Sequence, residues 1–123
     1  MTTKEIGDIG ETAAINYLVS QGYIILDHNW HCGHLELDIV ALDGDFIAFI
    51  EVKTRNDYSL LSPMEAINKT KQRLLINAAN NYIQKKRRHE EARFDVVSIT
   101  HHNGEITNIE LIKNAFYPSL RTR

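Results

Sequence analysis

Cysteine is almost missing from this chain, with Cys32 the single one in 123 residues. An internal disulfide framework is therefore excluded, and the composition suits a reducing compartment. No apolar run approaches the ~20 residues that span a bilayer. The first residues carry acids and polar groups where a secretory signal would be apolar, so a cytoplasmic protein without a membrane partner is expected. Positive charge is not in surplus either. With 14 Lys and Arg against 16 Asp and Glu, the formal net charge of −2 counts against indiscriminate nucleic-acid binding, which neutralises phosphates with many cations. A nuclease is not excluded, because several acids would be committed to a metal site while the cations gather elsewhere. No repeat or low-complexity tract interrupts the pattern. What is present, 43% apolar and 24% charged residues, is ordinary for a globular protein, and the length suits one domain over residues 1–123.

The most informative stretch runs from Glu36 to Lys53. Asp43-Gly44-Asp45 is a tight-turn signal between two runs rich in Ile, Val, Leu and Phe, the pattern of a β-hairpin. Side chains alternate with period two, so Glu36 and Asp38 are expected on one face of the first strand and Glu51 and Lys53 on one face of the second. With Gly44 and Asp45 as the loop, Asp38 lies opposite Glu51 and Glu36 opposite Lys53. With Asp43 and Gly44 as the loop, the pairing slips one step along the same face and all four groups still converge. A loop of odd length, or a bulge, would send the two pairs to opposite sides. Carboxylates facing each other in apolar surroundings repel, and a divalent cation is their natural partner.

Asp38 followed after the turn by Glu51-Val52-Lys53 resembles the PD-(D/E)XK nuclease signature. Around it stand Gly10-Glu11-Thr-Ala-Ala, Leu18, Gly22-Tyr23, Asn29, Glu36-Leu-Asp38, Phe49-Ile-Glu51-Val-Lys53-Thr-Arg55, Pro63-Met-Glu65-Ala66, Lys71-Gln72 and Arg93-Phe94-Asp95-Val96-Val97. In that order and spacing the chain resembles the YraN-like family of uncharacterised bacterial proteins, which is similar in turn to archaeal Holliday junction resolvases. The likeness runs over nearly the whole length. One departure is Leu35, where the family usually carries Gly before the first hairpin acid.

The resemblance implies a restriction-endonuclease-like αβββαβ core, a mixed sheet flanked by helices. It also implies an endonuclease that hydrolyses phosphodiester bonds with Mg²⁺ or Mn²⁺, acting on DNA, branched or damaged DNA included. On that reading Asp38 and Glu51 are metal ligands with the Val52 carbonyl as a third. Lys53 orients or deprotonates the attacking water, and Glu11 and Glu36 are second-tier acids. Arg55, Lys69, Lys71 and Arg73 are the cations placed to contact nucleic-acid phosphates, Lys71 at a family-matched position. A homodimer would present two sites to a symmetric substrate such as a four-way junction.

The pattern of elements agrees with an α-β-β-β-α-β-β order. A first helix is expected over Lys4 to Gln21, stopped by Gly22, with Ile6, Ile9, Ala13, Ala14, Tyr17 and Leu18 inward. A strand follows over Tyr23 to Trp30, then the hairpin. Ser62 as N-cap, Pro63 at the first position and Glu65 completing a capping box predict a second helix from there to about Lys86, burying Leu74 and Leu75 among others. Phe94 to Ile99 and Ile106 to Ile112 supply the last strands, the former reached by a parallel crossover.

Plainer readings compete. Asp38, Glu51 and Lys53 could be a cross-strand ion cluster on a solvated face. Glu36 could be an ordinary surface acid, and Glu11 an ordinary helix-surface one. His28, His31, Cys32 and His34 carry zinc-ligating groups, but they lack the paired spacing of a finger and have no second knuckle. Asp95 reads as structural, pairing with Arg93, Arg55 or a backbone amide, and His101-His102 read as solvated. The alternative function is a catalytically silent nucleic-acid-binding or assembly module that keeps the nuclease fold.

Overall fold

The computed structural model describes residues 1–58 and 67–117. Along the chain run α1 (Thr3–Ser20), β1 (Ile24–Cys32), β2 (Leu35–Asp43), β3 (Phe46–Asn56), α2 (Lys69–Lys86), β4 (Glu91–His102) and β5 (Glu105–Phe116). The five strands form one sheet in the order β1-β2-β3-β4-β5. Only the β3–β4 pair is parallel, because α2 lies between those strands in sequence and carries the chain back across the sheet. The result is an α/β mixed sheet with two helices, consistent with the restriction-endonuclease-like αβββαβ core.

Alternation along the strands divides the core in two. Val40, Ile47, Phe49, Phe94 and Val96 pack with Leu75, Ile76, Ala79 and Tyr82 of α2. Ile39, Ala41, Ala48, Ile50, Val97 and Ile99 pack with Ala14 and Leu18 of α1. Each fully buried aliphatic side chain of this kind contributes about 1.5–3 kcal/mol. Among the described residues no helix is long and apolar enough to cross a membrane.

α1 starts on a capping box that the sequence reading missed. The Thr2 hydroxyl accepts the Glu5 N–H at 3.1 Å, while the Glu5 carboxylate accepts the Thr2 N–H at 3.2 Å. The helix stops at Gly22 as expected. With φ at 91°, Gly22 lets the Tyr23 N–H reach back to the Leu18 carbonyl at 3.0 Å and its own N–H to that of Val19, the Schellman arrangement.

The second helix departs from its expected course. Ile67 and Asn68 are not helical, and α2 opens at Lys69 with Asn68 as N-cap, its side chain accepting the Lys71 N–H at 2.9 Å. A single helix from Ser62 to Lys86 is therefore ruled out, while the Ser62, Pro63 and Glu65 cap signal itself lies outside the described residues. Leu74 is exposed rather than buried, and Ile76 takes the inward place. Both β4 and β5 run longer than the apolar runs suggested. Because β4 continues to His102, His101 is buried instead of solvated.

Asp95 is structural, as read, within a larger network. The Arg93 guanidinium donates from Nε to Asp95 Oδ1 at 2.9 Å and from Nη2 to Oδ2 at 2.8 Å, and the Tyr23 hydroxyl donates to the same carboxylate at 2.9 Å. Arg93 Nη2 also reaches Asp43 Oδ2 at 2.7 Å, and Lys113 Nζ meets that oxygen at 3.0 Å. This network ties the β2–β3 turn to β4 and β5, at the opposite end of β3 from Lys53.

Candidate functional site

The site begins where the β2–β3 ladder stops. The two strands pair from Asp43↔Phe46 to Ile39↔Ile50, so Gly44 and Asp45 form the loop and the next residues across the gap are Asp38 and Glu51. Gly44 makes the turn with φ at 57°, a conformation that side-chain-bearing residues adopt only with strain.

Alternation fails at Asp38. Leu37 packs with the α2-side core and Ile39 with the α1-side core, although residues two apart on a regular strand share a face. On β1 the matching position is Asn29, whose φ of 50° lies between the pairs His28↔Ile39 and Trp30↔Leu37. The Asp38 carboxylate consequently sits in the seam between β2 and β3, where Oδ2 accepts the Val52 N–H at 2.9 Å. The N–H and C=O of an extended residue point to the same side of its strand, so the Val52 carbonyl is directed to this seam as well.

Glu51 is the buried member, only 6% exposed. Its carboxyl group neighbours that of Asp38, and Lys71 Nζ of α2 lies 3.4 Å from Glu51 Oε2. Burial above all, and then the neighbouring Asp38, push the Glu51 carboxyl up to about 8, against the opposing pull of Lys71 and Lys53. A carboxyl so placed holds its proton at neutral pH until a cation takes over its charge.

From the other face comes Glu11. Burial and then Asp38 raise its carboxyl above the ordinary range, while His28, with Nδ1 3.7 Å away, pulls it down. Helix α1 reaches the sheet this closely because residue 10 is glycine: a Cβ there would fall 2.0 Å from Thr54 Oγ1. A groove runs along this line, with Glu11, Asp38, Val52, Lys53 and Thr54 among its walls.

The expected site residues thus separate into groups. Asp38, Glu51 and the Val52 backbone come together, with Lys53 and Glu11 beside them. Glu36 stands apart, 58% exposed with its carboxylate 3.7 Å from His31 Nδ1, because the switch at Asp38 removes it from the shared face. The expectation that all four hairpin charges converge is corrected on that point. Lys71, read as a phosphate contact, is instead the cation on Glu51, and no spacing rule could have announced that long-range pair. Lys69 and Arg73 are exposed on the first turns of α2. Arg55 Nη1 is buried and, among the described residues, has no hydrogen-bond partner.

Among the described residues no three His, Cys, Asp or Glu side chains already form a cage for a metal. The donors present still fit a magnesium or manganese ion: two adjoining carboxylates and a backbone carbonyl are hard oxygen ligands. Magnesium needs only one or two carboxylates and otherwise keeps water. The imidazoles do not assemble a zinc site, since His28 and His31 are spent on separate acids.

Comparison with known proteins places this geometry in a family. Residues 10–99, from the close-approach glycine to the end of the β4 core, match the model of the uncharacterised protein family UPF0102. A UPF0102 protein of Clostridium botulinum is 47% identical over 116 residues, covering 92% of this chain and 94% of the relative. One of Clostridium tetani is 46% identical over 115 residues, again covering 92% and 94%. The matched span holds every residue of the carboxylate seam together with both helices' contacts to it, and the chain belongs to the UPF0102 family.

Proposed function

We propose that this protein is a metal-dependent DNA endonuclease hydrolysing phosphodiester bonds, with branched or damaged DNA as its substrate class. The observation that carries the reading is the meeting of part-buried Asp38 with buried Glu51, a carboxyl pair that is electrostatically unfavourable unless a cation joins it. Bound Mg²⁺ or Mn²⁺ would polarise a phosphoryl oxygen and supply an activated water. Asp38 and Glu51 would hold it, with the Val52 carbonyl as a neutral third donor. The Val52 N–H fixes one oxygen of Asp38 and so presents the other.

Lys53 lines the same groove and places an ammonium where it can orient the attacking water or offset charge developing on the phosphoryl oxygens. Glu11 faces Asp38 across the groove and can take a proton there, its own proton affinity being raised. Lys71 favours the ionised form of Glu51, which a bound cation would complete. Arg55, Lys69 and Arg73 are the phosphate contacts, which position a strand without reading its sequence.

The test is cleavage of branched, single-stranded and linear DNA in Mg²⁺ or Mn²⁺, beside Asp38→Ala, Glu51→Ala and Lys53→Ala. Cleavage by the native protein, reduced about 10²-fold or more in each variant, supports the enzyme. Binding that persists in EDTA with no substrate cut identifies the silent binding module instead.

A further inference from the structure

A second cleft, of about 380 Å³, opens where β3 and β4 end, and Ile6 lines both it and the carboxylate groove. Asn56 on its wall stands three residues beyond Lys53, ~10 Å along an extended strand. That is the span of ~3 stacked nucleotides at 3.4 Å each.

Two features of its lining ask for a ligand. Tyr58 is 77% exposed, so core packing does not account for its ring. The ring meets that of His102 edge to face, centroids 6.2 Å apart, and His102 Nδ1 lies 3.1 Å from the Asp57 carboxylate. Backbone bonds hold the loop: the Asp57 N–H donates to the His101 carbonyl at 2.9 Å, and the Tyr58 N–H to Asn56 Oδ1 at 3.0 Å. The aromatic wall is therefore preformed, which lowers the entropy lost on binding. The second feature is His101. It is only 7% exposed yet lines the cleft, and its Nδ1 accepts the Gly104 N–H at 3.1 Å. With Nδ1 accepting, the ring N–H is on Nε2, a donor without a partner among the described residues.

We infer that this cleft receives one unpaired nucleobase of the DNA strand whose backbone passes the carboxylate seam, stacked on Tyr58 and hydrogen-bonded by His101. The inference rests on the nuclease reading and specifies its substrate. A base inside a duplex offers its edges but not its face, whereas an unpaired base offers both, and an exposed aromatic ring beside a ring N–H donor is complementary to that combination. With its one carboxylate engaged by His102, the cleft has no built-in preference for a charged ligand.

The experiment measures binding by fluorescence anisotropy in EDTA, where no cleavage intervenes. The probes are a duplex with one unpaired base at a branch, the same probe with that nucleotide abasic, and the fully paired duplex. The native protein is expected to favour the unpaired base over both controls. Tyr58→Ala should weaken binding of that probe ~10-fold while leaving the controls unchanged, and Tyr58→Trp should restore it. Since the side chain is exposed, unchanged melting of Tyr58→Ala checks that the fold is intact. Equal binding of all three probes, or equal losses on all of them in Tyr58→Ala, overturns the proposal, as does failure to bind any DNA. Discrimination by Tyr58 without cleavage in Mg²⁺ would retain the base pocket and dismiss the nuclease; cleavage without discrimination would do the reverse.

Discussion

Asp38 Oδ2 accepts the Val52 N–H at 2.9 Å, across a gap where the ladder between their strands has already ended. The bond substitutes for ladder pairing and uses a carboxylate to do it. It also keeps the Asp38 carboxylate next to Glu51, so two acids lie together at the point where the ladder has ended.

The pH dependence of stability follows from Glu51. Its ordinary value is 4.5 and the folded protein pushes it up to about 8. Below 4.5 both states carry the proton, and Glu51 contributes no pH dependence. Between the two values the unfolded chain ionises while the folded one resists, so unfolding releases a proton and is favoured as pH rises. Melting in EDTA should show a Tm that falls from about pH 5 to pH 8 and then levels off. Glu51→Gln should flatten that slope and raise Tm at pH 8 by about 5 °C or more. An unaltered slope in the variant would show that the buried carboxyl is not its source.

Lys71 gives a separate expectation. Its ammonium lies 3.4 Å from Glu51 and favours the ionised carboxylate against the opposing effects of burial and Asp38. Lys71→Met should lower apo stability at pH 9 by about 1–3 kcal/mol, since the native carboxyl is ionised there and without Lys71 it must stay protonated or lie buried and unpaired. Magnesium should erase most of that loss, because the metal then neutralises Glu51. Differential scanning fluorimetry with and without Mg²⁺ checks this. A deficit of the same size in both conditions would assign Lys71 a packing role only.

Gly10 sets how closely α1 approaches β3. A methyl group there would meet Thr54 Oγ1 at 2.0 Å, on a strand paired at that point with Ile99 of β4. Gly10→Ala should destabilise the fold by about 1–3 kcal/mol through overpacking, despite the better helix propensity of Ala. Combining it with Thr54→Gly should recover part of the loss. If urea melts of Gly10→Ala match the native protein, the helix has room to shift and does not fix Glu11 over Asp38.

Much of this arrangement was legible in the residues. Asp43-Gly44 announced the hairpin, and the period-two pattern put Asp38 opposite Glu51 for one of the two loops considered, the one observed. Gly22 announced the end of α1, and the crossover made β4 parallel to β3. The switch of faces at Asp38 was not legible. It depends on a backbone irregularity shared with Asn29 on another strand, and alternation carries no trace of it. For the same reason Glu36 was grouped with the other acids. Lys71 on Glu51 and Arg93 on Asp43 join residues far apart in sequence, and only packing decides such pairs. The end of β4 was underestimated because His101 and His102 read as polar, whereas pairing with β5 carries the strand to His102 and packing between β3 and β5 buries His101.

The central claim, that the carboxyl groups of residues 38 and 51 share one divalent cation, is tested most directly by thermal melts at pH 7.5 with Mg²⁺ or Mn²⁺ titrated against EDTA. The native protein should gain about 2.7 kcal/mol at one hundred times the dissociation constant. Asp38→Asn should start from a higher apo Tm and show no response, and Glu51→Gln should lose the response too. A native protein whose Tm ignores both metals, or a response that survives in both variants, would contradict the account.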